Sequence, residues 1–389
     1  MQAPVRAPVV AFAVAVAALA ATATLVTSSS ATAATACSFD PTGSVSVRPD
    51  DGFNTLFRAY GDSNKSLDDW TGADTTNSVL LPDGRVVWVF SDTFLGAVNA
   101  DFTRSDPSFI HNSFVVQSGG KLVDTLHDGR YPNARSLVQT NDGREVNGDP
   151  PIGADWYWVG DGTVEGAELR VFALKFEKFG PGGFDFRWIG TSLATFSLPK
   201  LKLESVTPTV SSNGVEYGSG ILEDGGYTYV YGTEDLGSDK YMYVARVPSG
   251  GLLGPWEFFT GTGWSTDPAA SLRLLHGVAN EYSVTRVGDA YVLITMDTNV
   301  AFSRDIYAYI SCTPTGPWVG PTKLYTAPDY PFSNAIAYNA HAHPEFTENG
   351  ELLVTYNVNS LVFQDLMNDV HIYRPRFIRV RLPPILVAP

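Results

Sequence analysis

The segment 70–93, WTGADTTNSVLLPDGRVVWVFSDT, places one carboxylate on each side of a tight turn. In LPDGR, Pro82 fixes φ near −65° and Gly84 suits a left-handed residue, which predicts a three-residue hairpin loop. The register that follows from this loop places Asp74 directly opposite Asp92. The Cβ atoms of such cross-strand pairs lie roughly 4.5–5.5 Å apart, and like charges at that distance are destabilising.

Two carboxylates at this separation can hydrolyse a glycosidic bond, one as general acid and the other as base or nucleophile. An alternative is that Asp74 and Asp92 each cap a turn through an Asx hydrogen bond. A single bulge between the turn and Asp74 would also point the two side chains to opposite faces. The pair therefore predicts a hydrolytic site whose geometry depends on the strand register.

The elements that position these acids are predicted to be β-strands. Short runs rich in Val, Tyr, Phe and Thr recur between Gly, Asp, Asn and Pro clusters, which is typical of an all-β protein. The runs form five units, each opening with a polar segment. These segments are WTGADTTNSVLL, GADWYWVGD, VEYGSGILE, NEYSVTRV and NAHAHPEFTE, anchored at Asp74, Asp155, Glu216, Glu281 and His343. Intervals of 61 to 81 residues between the anchors leave room for four strands in each unit.

Five four-stranded units predict a five-bladed β-propeller. The first strand of each blade then lines the central axis, and the opening residues converge at one end of it. A pair of β-sandwiches is the structural alternative, because it would also give many short strands. The segment SVSVRPDDGFNTLFRAY is predicted to close the ring by pairing with HIYRPRFIRVRL, and DPAASLRLLHGVANE is predicted to be a connecting loop.

The first 36 residues have the pattern of a cleaved secretory signal: Arg6, a run rich in Ala and Val, and small residues before Cys37. We therefore expect residues 1–36 to be removed and residues 37–389 to form a single secreted propeller domain, with an uncleaved membrane helix as the alternative. Cys37 and Cys312 are the only cysteines, and in an exported protein they are expected to form one disulfide.

The formal net charge is −15, from 41 acidic against 26 basic residues. Such a charge repels nucleic acid and anionic membrane surfaces, so neither is expected as a partner. We expect a monomer.

Several aromatic side chains near the opening segments are suited to stacking on sugar rings. They are Trp70, Trp156, Tyr157, Trp158, Tyr217 and Tyr282. The alternative is that they pack in the core between blades. His341 and His343 alternate along one strand and are candidates for substrate contact, or for a metal pair if further ligands converge on them. These patterns require no cofactor, and calcium bound by axial oxygens is the alternative.

The run DDWTGADTTNSVLLPDGRVVWVFSDTFLG, followed by HNSFVVQ, resembles the first blade of a secreted bacterial propeller family formerly of unknown function and related to the endo-D-arabinanases. The resemblance is specific over residues 69–117 and looser at the later blade openings YGSG, NEYS and HAHPEF. It implies a five-bladed glycoside hydrolase that acts on furanosides, with Asp74 and Asp92 as the catalytic acids. Ala73 and Ser91 stand where a glycine is expected in the arabinanase branch, so the resemblance leaves the sugar open.

Related five-bladed furanosidases take a base, an orienting carboxylate and a general acid from three blades. The resemblance therefore also implies a second assignment, in which these residues are Asp74, Asp155 and Glu216, with Glu281 as another candidate acid. In this interpretation each blade opening carries one part of the catalytic machinery.

These observations predict a secreted glycoside hydrolase that cleaves a furanoside-containing polysaccharide, with D-arabinan as the candidate. A propeller that binds carbohydrate without cleaving it, such as a lectin or adhesin, is the alternative, because a fold does not dictate chemistry. The sialidase Asp-box spacing is not met, because Asp83 and Gly84 are adjacent. The HExxH and GxSxG motifs of metalloproteases and serine hydrolases do not occur.

Overall fold

The strand-forming runs fold into five antiparallel sheets arranged around one axis. The computed structural model describes residues 36–140, 148–328 and 334–388. The first strands of the five sheets contact one another in sequence and the fifth contacts the first, which closes a ring. The protein is therefore a five-bladed β-propeller, as predicted, and the β-sandwich alternative is wrong.

The elements follow the chain order. Before the first blade come β1 (Ala36–Phe39), β2 (Ser46–Pro49) and α1 (Asp51–Gly61). Blade one contains β3 (Trp70–Leu80), β4 (Val86–Leu95), β5 (Ser108–Ile110), β6 (Ser113–Ser118) and β7 (Lys121–Leu126). Blade two contains β8 (Asp155–Glu165), β9 (Glu168–Lys178), β10 (Phe186–Ser197) and β11 (Lys202–Pro208). Blade three contains β12 (Glu216–Asp224), β13 (Tyr227–Leu236), β14 (Asp239–Pro248), β15 (Glu257–Phe259), β16 (Trp264–Ser265) and β17 (Leu275–His276).

The last two blades have the simpler four-stranded form. Blade four contains β18 (Tyr282–Val287), β19 (Ala290–Met296), β20 (Asp305–Ser311) and β21 (Val319–Thr326). Blade five contains β22 (Ala335–Glu348), β23 (Glu351–Ser360) and β24 (Arg376–Arg381), with α2 (Phe363–Asn368) between the last two and β2 as its outer strand. A final strand, β25 (Ile385–Ala388), pairs with β1. The segment predicted to be a loop, 267–281, holds a short 3₁₀ turn (Pro268–Ala270) and the two-residue β17.

The ring closes through an N-to-C pairing. Strand β2 pairs with β24, from Ser46 opposite Arg381 to Pro49 opposite Ile378, which confirms the predicted closure. The rest of the predicted closing segment is not a strand but helix α1. Its N-cap is Asp50, whose Oδ1 accepts a 2.8 Å hydrogen bond from the Phe53 amide.

Helix α1 forms because its apolar side chains recur at helical spacing. Phe53, Leu56, Phe57 and Tyr60 lie on one face and pack against blades one and five. The sequence analysis missed this spacing because the strand pattern of β2 precedes it without a break.

Hydrophobic clusters fill every gap between neighbouring blades. Between blades one and two, for example, Val87 packs near Val171, and both are fully buried. Between blades five and one, Phe57 of α1 stacks on Phe377 with ring centroids 4.8 Å apart. This packing of sheet faces holds the blades at fixed angles and so fixes the inner strands that line the axis.

The disulfide between Cys37 and Cys312 is present, with Cα atoms 5.1 Å apart, as predicted. It joins the N-terminal strand to the end of β20 in blade four. The predicted signal, residues 1–36, lies outside the described residues except for Ala36. Within the described ranges, none of the helices has the length and apolar character needed to cross a membrane.

Replacing both cysteines by serine is expected to lower the free energy of unfolding by about 2–4 kcal/mol, because the bond closes a loop of 275 residues in the unfolded chain. Urea denaturation of the double variant and of non-reduced wild type checks this. Equal midpoints would contradict it, and peptide mapping of the non-reduced protein should recover the two cysteines linked.

Candidate active site

A cavity of about 1700 Å³ lies at the N-terminal ends of the inner strands and receives residues from all five blades. Among its charged lining residues are Asp74, Asp92, Lys178, Arg187, Glu216, Asp235, Lys240 and Glu281. Four of the five predicted catalytic acids therefore meet in one cavity. The fifth, Asp155, does not line it.

The turn between β3 and β4 has the predicted geometry. The Leu81 amide donates to the Arg85 carbonyl at 2.8 Å, and Gly84 has a φ of +83°. Near the turn the ladder keeps the expected register, with Leu80 opposite Val86.

The ladder becomes irregular at Asp74. Ala73 faces Thr93 in the expected register, but Thr75 faces Phe90, and a register shift separates the two pairs. Thr75 and Thr76 have φ values of +74° and +62°, which are strained for β-branched residues. The prediction that Asp74 and Asp92 form a regular cross-strand pair is therefore wrong. The shifts cancel along β3, and both side chains still line the same cavity.

Asp74 is held by two phenols from blade five and the segment before β24. The hydroxyls of Tyr338 and Tyr373 each donate to its Oδ2 at 2.7 Å. Burial, and then the charge of Asp92, raise the pKa of Asp74 to about 7, against the opposing effect of the two phenol hydrogen bonds. Because Oδ2 accepts both phenols, the proton of the neutral form falls on Oδ1. Asp74 can thus donate a proton near neutral pH.

Asp92 has a different environment. Its Oδ1 accepts hydrogen bonds from Trp158 Nε1 at 2.7 Å and from His111 Nδ1 at 2.9 Å. Because the Asp92 carboxylate accepts this hydrogen bond, His111 Nδ1 carries a proton. Two N–H donors on one oxygen suit a carboxylate, and 18% of the Asp92 side chain remains exposed in the cavity.

Glu281 lies beside the strained residues Thr75 and Thr76 of β3. Its Oε1 accepts hydrogen bonds from Thr75 Oγ1 at 3.1 Å and Asn339 Nδ2 at 3.0 Å. Its Oε2 is buried without a hydrogen-bond partner among the described residues. Burial, and then the charge of Asp74, raise the pKa of Glu281 well above its usual range. This acid therefore holds Thr75 in the irregular stretch of β3 that follows Asp74.

Glu216 is the third buried carboxyl of the cavity. Burial, and then the charge of Asp235, raise its pKa to about 8, while Lys240 acts in the opposite direction. The Lys240 ammonium contacts both Asp235 and Asn280. With a pKa of about 8, Glu216 is largely protonated at neutral pH and can donate a hydrogen bond.

Asp155 is directed away from the cavity. Side chains alternate along β8, and since Trp156 and Trp158 line the cavity, Asp155 faces the other way. Its carboxylate is paired with Lys175 at 2.7 Å. Asp155 is nevertheless buried, as is Asp161 on the same strand, whose Oδ2 accepts from the Ile221 amide at 2.8 Å and links blades two and three.

The predicted aromatic contacts divide into two groups. Trp156 and Trp158 line the cavity. The others, Trp70, Tyr157, Tyr217 and Tyr282, are buried in the clusters between blades. This is the core position that was the alternative for them; Tyr282, for instance, donates to the Gly232 carbonyl at 2.9 Å.

His341 and His343 also lie outside the cavity lining. Strand β22 is 14 residues long, and only its beginning, Ile336 to Asn339, reaches the cavity. His343 is fully buried between Ser78 Oγ at 2.6 Å and Thr355 Oγ1 at 2.8 Å. Burial lowers the pKa of both rings, that of His341 to about 4. Among the described residues, no group of three or more His, Cys, Asp or Glu side chains is arranged to hold a metal ion.

The sequence analysis missed the residues that hold the acids. His111 stands at the start of the quoted HNSFVVQ run, and Tyr338 lies on the same strand as the predicted histidines. Tyr373 comes from the closing segment HIYRPRFIRVRL. In the sequence these three side chains look like core residues. Their role becomes visible only when the folded propeller places them beside the acids.

The sequence model of a family described as "Domain of unknown function (DUF5005)" matches residues 53–382. The crystal structure of a candidate hydrolase from Bacteroides ovatus ATCC 8483 is similar, with 27% identity and a TM-score of 0.71, covering 88% of this chain and 93% of that chain. No curated protein matches the chain significantly.

Two more distant structures are glycosidases. The GH43_1 enzyme from Xanthomonas citri complexed with xylotriose has 13% identity and a TM-score of 0.47, with coverage of 85% of this chain and 96% of that chain. A xylan beta-1,4-xylosidase from Bacillus halodurans C-125 has 12% identity and a TM-score of 0.44, with coverage of 82% and 56%. Likeness at this level supports no conclusion about activity.

Proposed function

The chain belongs to the DUF5005 family, and we propose that it is a glycoside hydrolase. The observation that carries the proposal is the pair of acids in one cavity with opposite environments. Asp74 has a pKa raised to about 7, whereas Asp92 accepts two N–H hydrogen bonds on one oxygen. Two carboxyl groups that differ in this way can act as acid and base in one reaction.

In the proposed mechanism, Asp74 Oδ1 gives its proton to the glycosidic oxygen as the bond to the anomeric carbon breaks. Asp92 acts on the other side, either by activating a water molecule or by attacking the anomeric carbon. His111 and Trp158 hold its carboxylate in place through their N–H groups. Glu216 and Glu281, which line the same cavity, offer hydrogen bonds to sugar hydroxyls.

We propose a furanoside-containing polysaccharide as the substrate, with D-arabinan as the first candidate. The cavity volume of about 1700 Å³ exceeds the roughly 300–1000 Å³ typical of small-molecule sites, which favours a polymer. Trp158, Phe176 and Phe186 form an aromatic wall that starts at Asp92, with ring centroids 4.5 to 5.8 Å apart. The first-blade motif supports the furanoside class through its resemblance to the arabinanase relatives. We also propose that the protein is exported.

A panel of purified polysaccharides tests this function. Mature protein is incubated with D-arabinan, L-arabinan, xylan and galactan, and released reducing ends are measured. We expect release from a furanoside polymer, and none with the Asp92→Asn variant. Binding to a polymer in affinity electrophoresis without release from any member of the panel would instead favour the lectin function.

The phenols of Tyr338 and Tyr373 are expected to set the alkaline limit of activity. Each stabilises the charged form of Asp74, so removing both raises the pKa of that acid and keeps it protonated to higher pH. The Tyr338→Phe/Tyr373→Phe variant should therefore shift the alkaline limb of kcat/KM upward by about one pH unit. Tyr157→Phe, which changes a phenol outside the cavity, is the control. An unshifted limb in the double variant would exclude Asp74 as the acid.

A further inference from the structure

A second cavity, of about 430 Å³, lies between α1 and the segment that leads into β24. It shares no lining residue with the active-site cavity. Arg58, Arg374, Arg376 and His371 line it together with Phe57, and none of its lining residues is acidic. We call it the arginine pocket. Three guanidinium groups around one cavity stand out in a chain whose net charge is −15.

Arg374, which lines the pocket, carries an unsatisfied donor. Its side chain is only 3% exposed, its Nε donates to the Thr71 carbonyl at 2.8 Å, and its Nη2 pairs with Asp62 Oδ1 at 2.8 Å. Its Nη1 is buried without a hydrogen-bond partner among the described residues. A buried donor of this kind is costly unless it has an acceptor, and a ligand in the pocket would provide one.

The carboxylates near the pocket are already engaged. Asp62 is paired with Arg374, and Asp369 Oδ1 lies 2.9 Å from His371 Nδ1. Arg376 donates to the His371 carbonyl at 2.6 Å, which fixes its guanidinium at the wall. Arg58 is exposed, and its Nη2 makes only a long 3.4 Å contact with Thr55 Oγ1 among the bonds described. Arg58 is therefore the side chain best able to move onto a ligand.

Positive charge also lies behind the pocket. Arg104 is buried, and burial followed by repulsion from Arg374 lowers its pKa to about 9, so it is still cationic at neutral pH. Its guanidinium is held by backbone carbonyls, including that of Leu366. The local field therefore favours an anion.

We propose that the arginine pocket binds a sugar that carries a phosphate or carboxylate group. The planar guanidinium fork matches both oxyanions. The volume fits a small organic ligand rather than a bare ion, since such sites measure roughly 300–1000 Å³. Phe57 and Pro375 provide apolar surface for the face of the sugar ring. The site is separate from the hydrolytic one, so failure of this proposal would leave the proposed function unchanged.

Isothermal titration of the mature protein tests the proposal with glucose 6-phosphate, glucuronate, inorganic phosphate and glucose. One equivalent of glucose 6-phosphate or glucuronate is expected to bind, more weakly at higher salt, with glucose not binding and inorganic phosphate binding less tightly. Arg58→Gln should weaken binding by about tenfold, the usual effect of losing one charged hydrogen bond. Arg130→Gln makes the same charge change at a side chain that is 88% exposed and should have no effect.

Three results would overturn the proposal. They are no saturable binding of either anionic sugar, equal affinity in the Arg58→Gln and Arg130→Gln proteins, and inorganic phosphate binding as tightly as glucose 6-phosphate. A loss of binding in Lys240→Gln but not in Arg58→Gln would place the ligand in the active-site cavity and would also contradict it. Competition by polygalacturonate would identify the source as an acidic glycan, whereas binding of glucuronate without such competition would identify a free sugar.

Discussion

Asp74→Asn and Asp92→Asn are each expected to lower kcat on the furanoside substrate by about 10²-fold or more while leaving the fold intact. Asparagine cannot donate the proton that Asp74 Oδ1 carries, and it cannot replace the carboxylate at Asp92. Both substitutions keep the size of the side chain, so the phenols around Asp74 and the N–H donors around Asp92 retain an acceptor oxygen. Turnover and circular dichroism measured on the same preparations check the prediction.

The matched control is Asp155→Asn. This acid opens the neighbouring blade but lies outside the cavity and is paired with Lys175, so its replacement should leave kcat within about twofold. At pH values above about 7, where Asp74 is charged, Asp74→Asn is also expected to raise the melting temperature, because it removes a buried charge that Asp92 repels. Normal turnover in both Asp74→Asn and Asp92→Asn would move the chemistry to Glu216 or Glu281.

The protein is expected to lose stability as the pH rises from 6.5 to 8. Burial raises the pKa of Asp161 and Glu345 to about 7 and that of Glu216 to about 8. Folding therefore favours their protonated forms. The resulting stabilisation is complete at pH values below the pKa that each carboxyl group has in the unfolded chain. It is lost as the pH rises through the pKa that the group has in the folded protein. Each group contributes at most about 1.4 kcal/mol per pH unit in that window.

The melting temperature should fall by about 5 °C or more across that window. Below pH 6.5, His341 and His343 act in the opposite direction, because burial lowers their pKa and the unfolded chain binds protons more tightly. This opposing effect fades above the ordinary histidine pKa of about 6.5, so the carboxyl groups dominate the window from 6.5 to 8.

Two variants distinguish the contribution of buried acids to this decline in stability from the contribution of surface charge. Glu216→Gln removes one titrating group and should flatten the decline, whereas the exposed Glu204, whose pKa is lowered by its hydrogen bond from Ser197, titrates at lower pH and Glu204→Gln should not. The decline should persist in 0.5 M NaCl, which screens repulsion among surface charges but not the burial of these acids. A decline that salt abolishes would show that surface repulsion is its cause.

The sequence predicts the five blades well because each blade repeats the same local pattern. A polar opening segment followed by an apolar strand indicates which residues are buried, and this pattern can be recognised within a few neighbouring residues. The opening segments anchored at Asp74, Asp155, Glu216, Glu281 and His343 do lie on or next to β3, β8, β12, β18 and β22. The ring closure by β2 was also predictable, because its partner strand in blade five lacks a neighbour on that side.

Four predicted acids line the cavity: Asp74, Glu216 and Glu281 lie at the cavity end of an inner strand, and Asp92 lies on the strand paired with β3. Asp155 fails because a single step along β8 reverses the side-chain direction, and His343 fails because β22 extends beyond the cavity. Tyr338 and Tyr373 reach Asp74 from positions 264 and 299 residues away in sequence. Contacts of that kind depend on the angle between blades, which no local pattern encodes.

The pairing of β2 with β24 means that some of the earliest-made residues complete the last blade. Residues 46–49 have no strand partner until residue 381 has been synthesised, so the propeller cannot be assembled blade by blade to completion as the chain emerges. Until then, the outer edge of blade five is open and can accept a strand from another molecule. Ring closure therefore waits for β24, and a truncation before that strand would leave the first four blades intact in sequence but the ring unsealed.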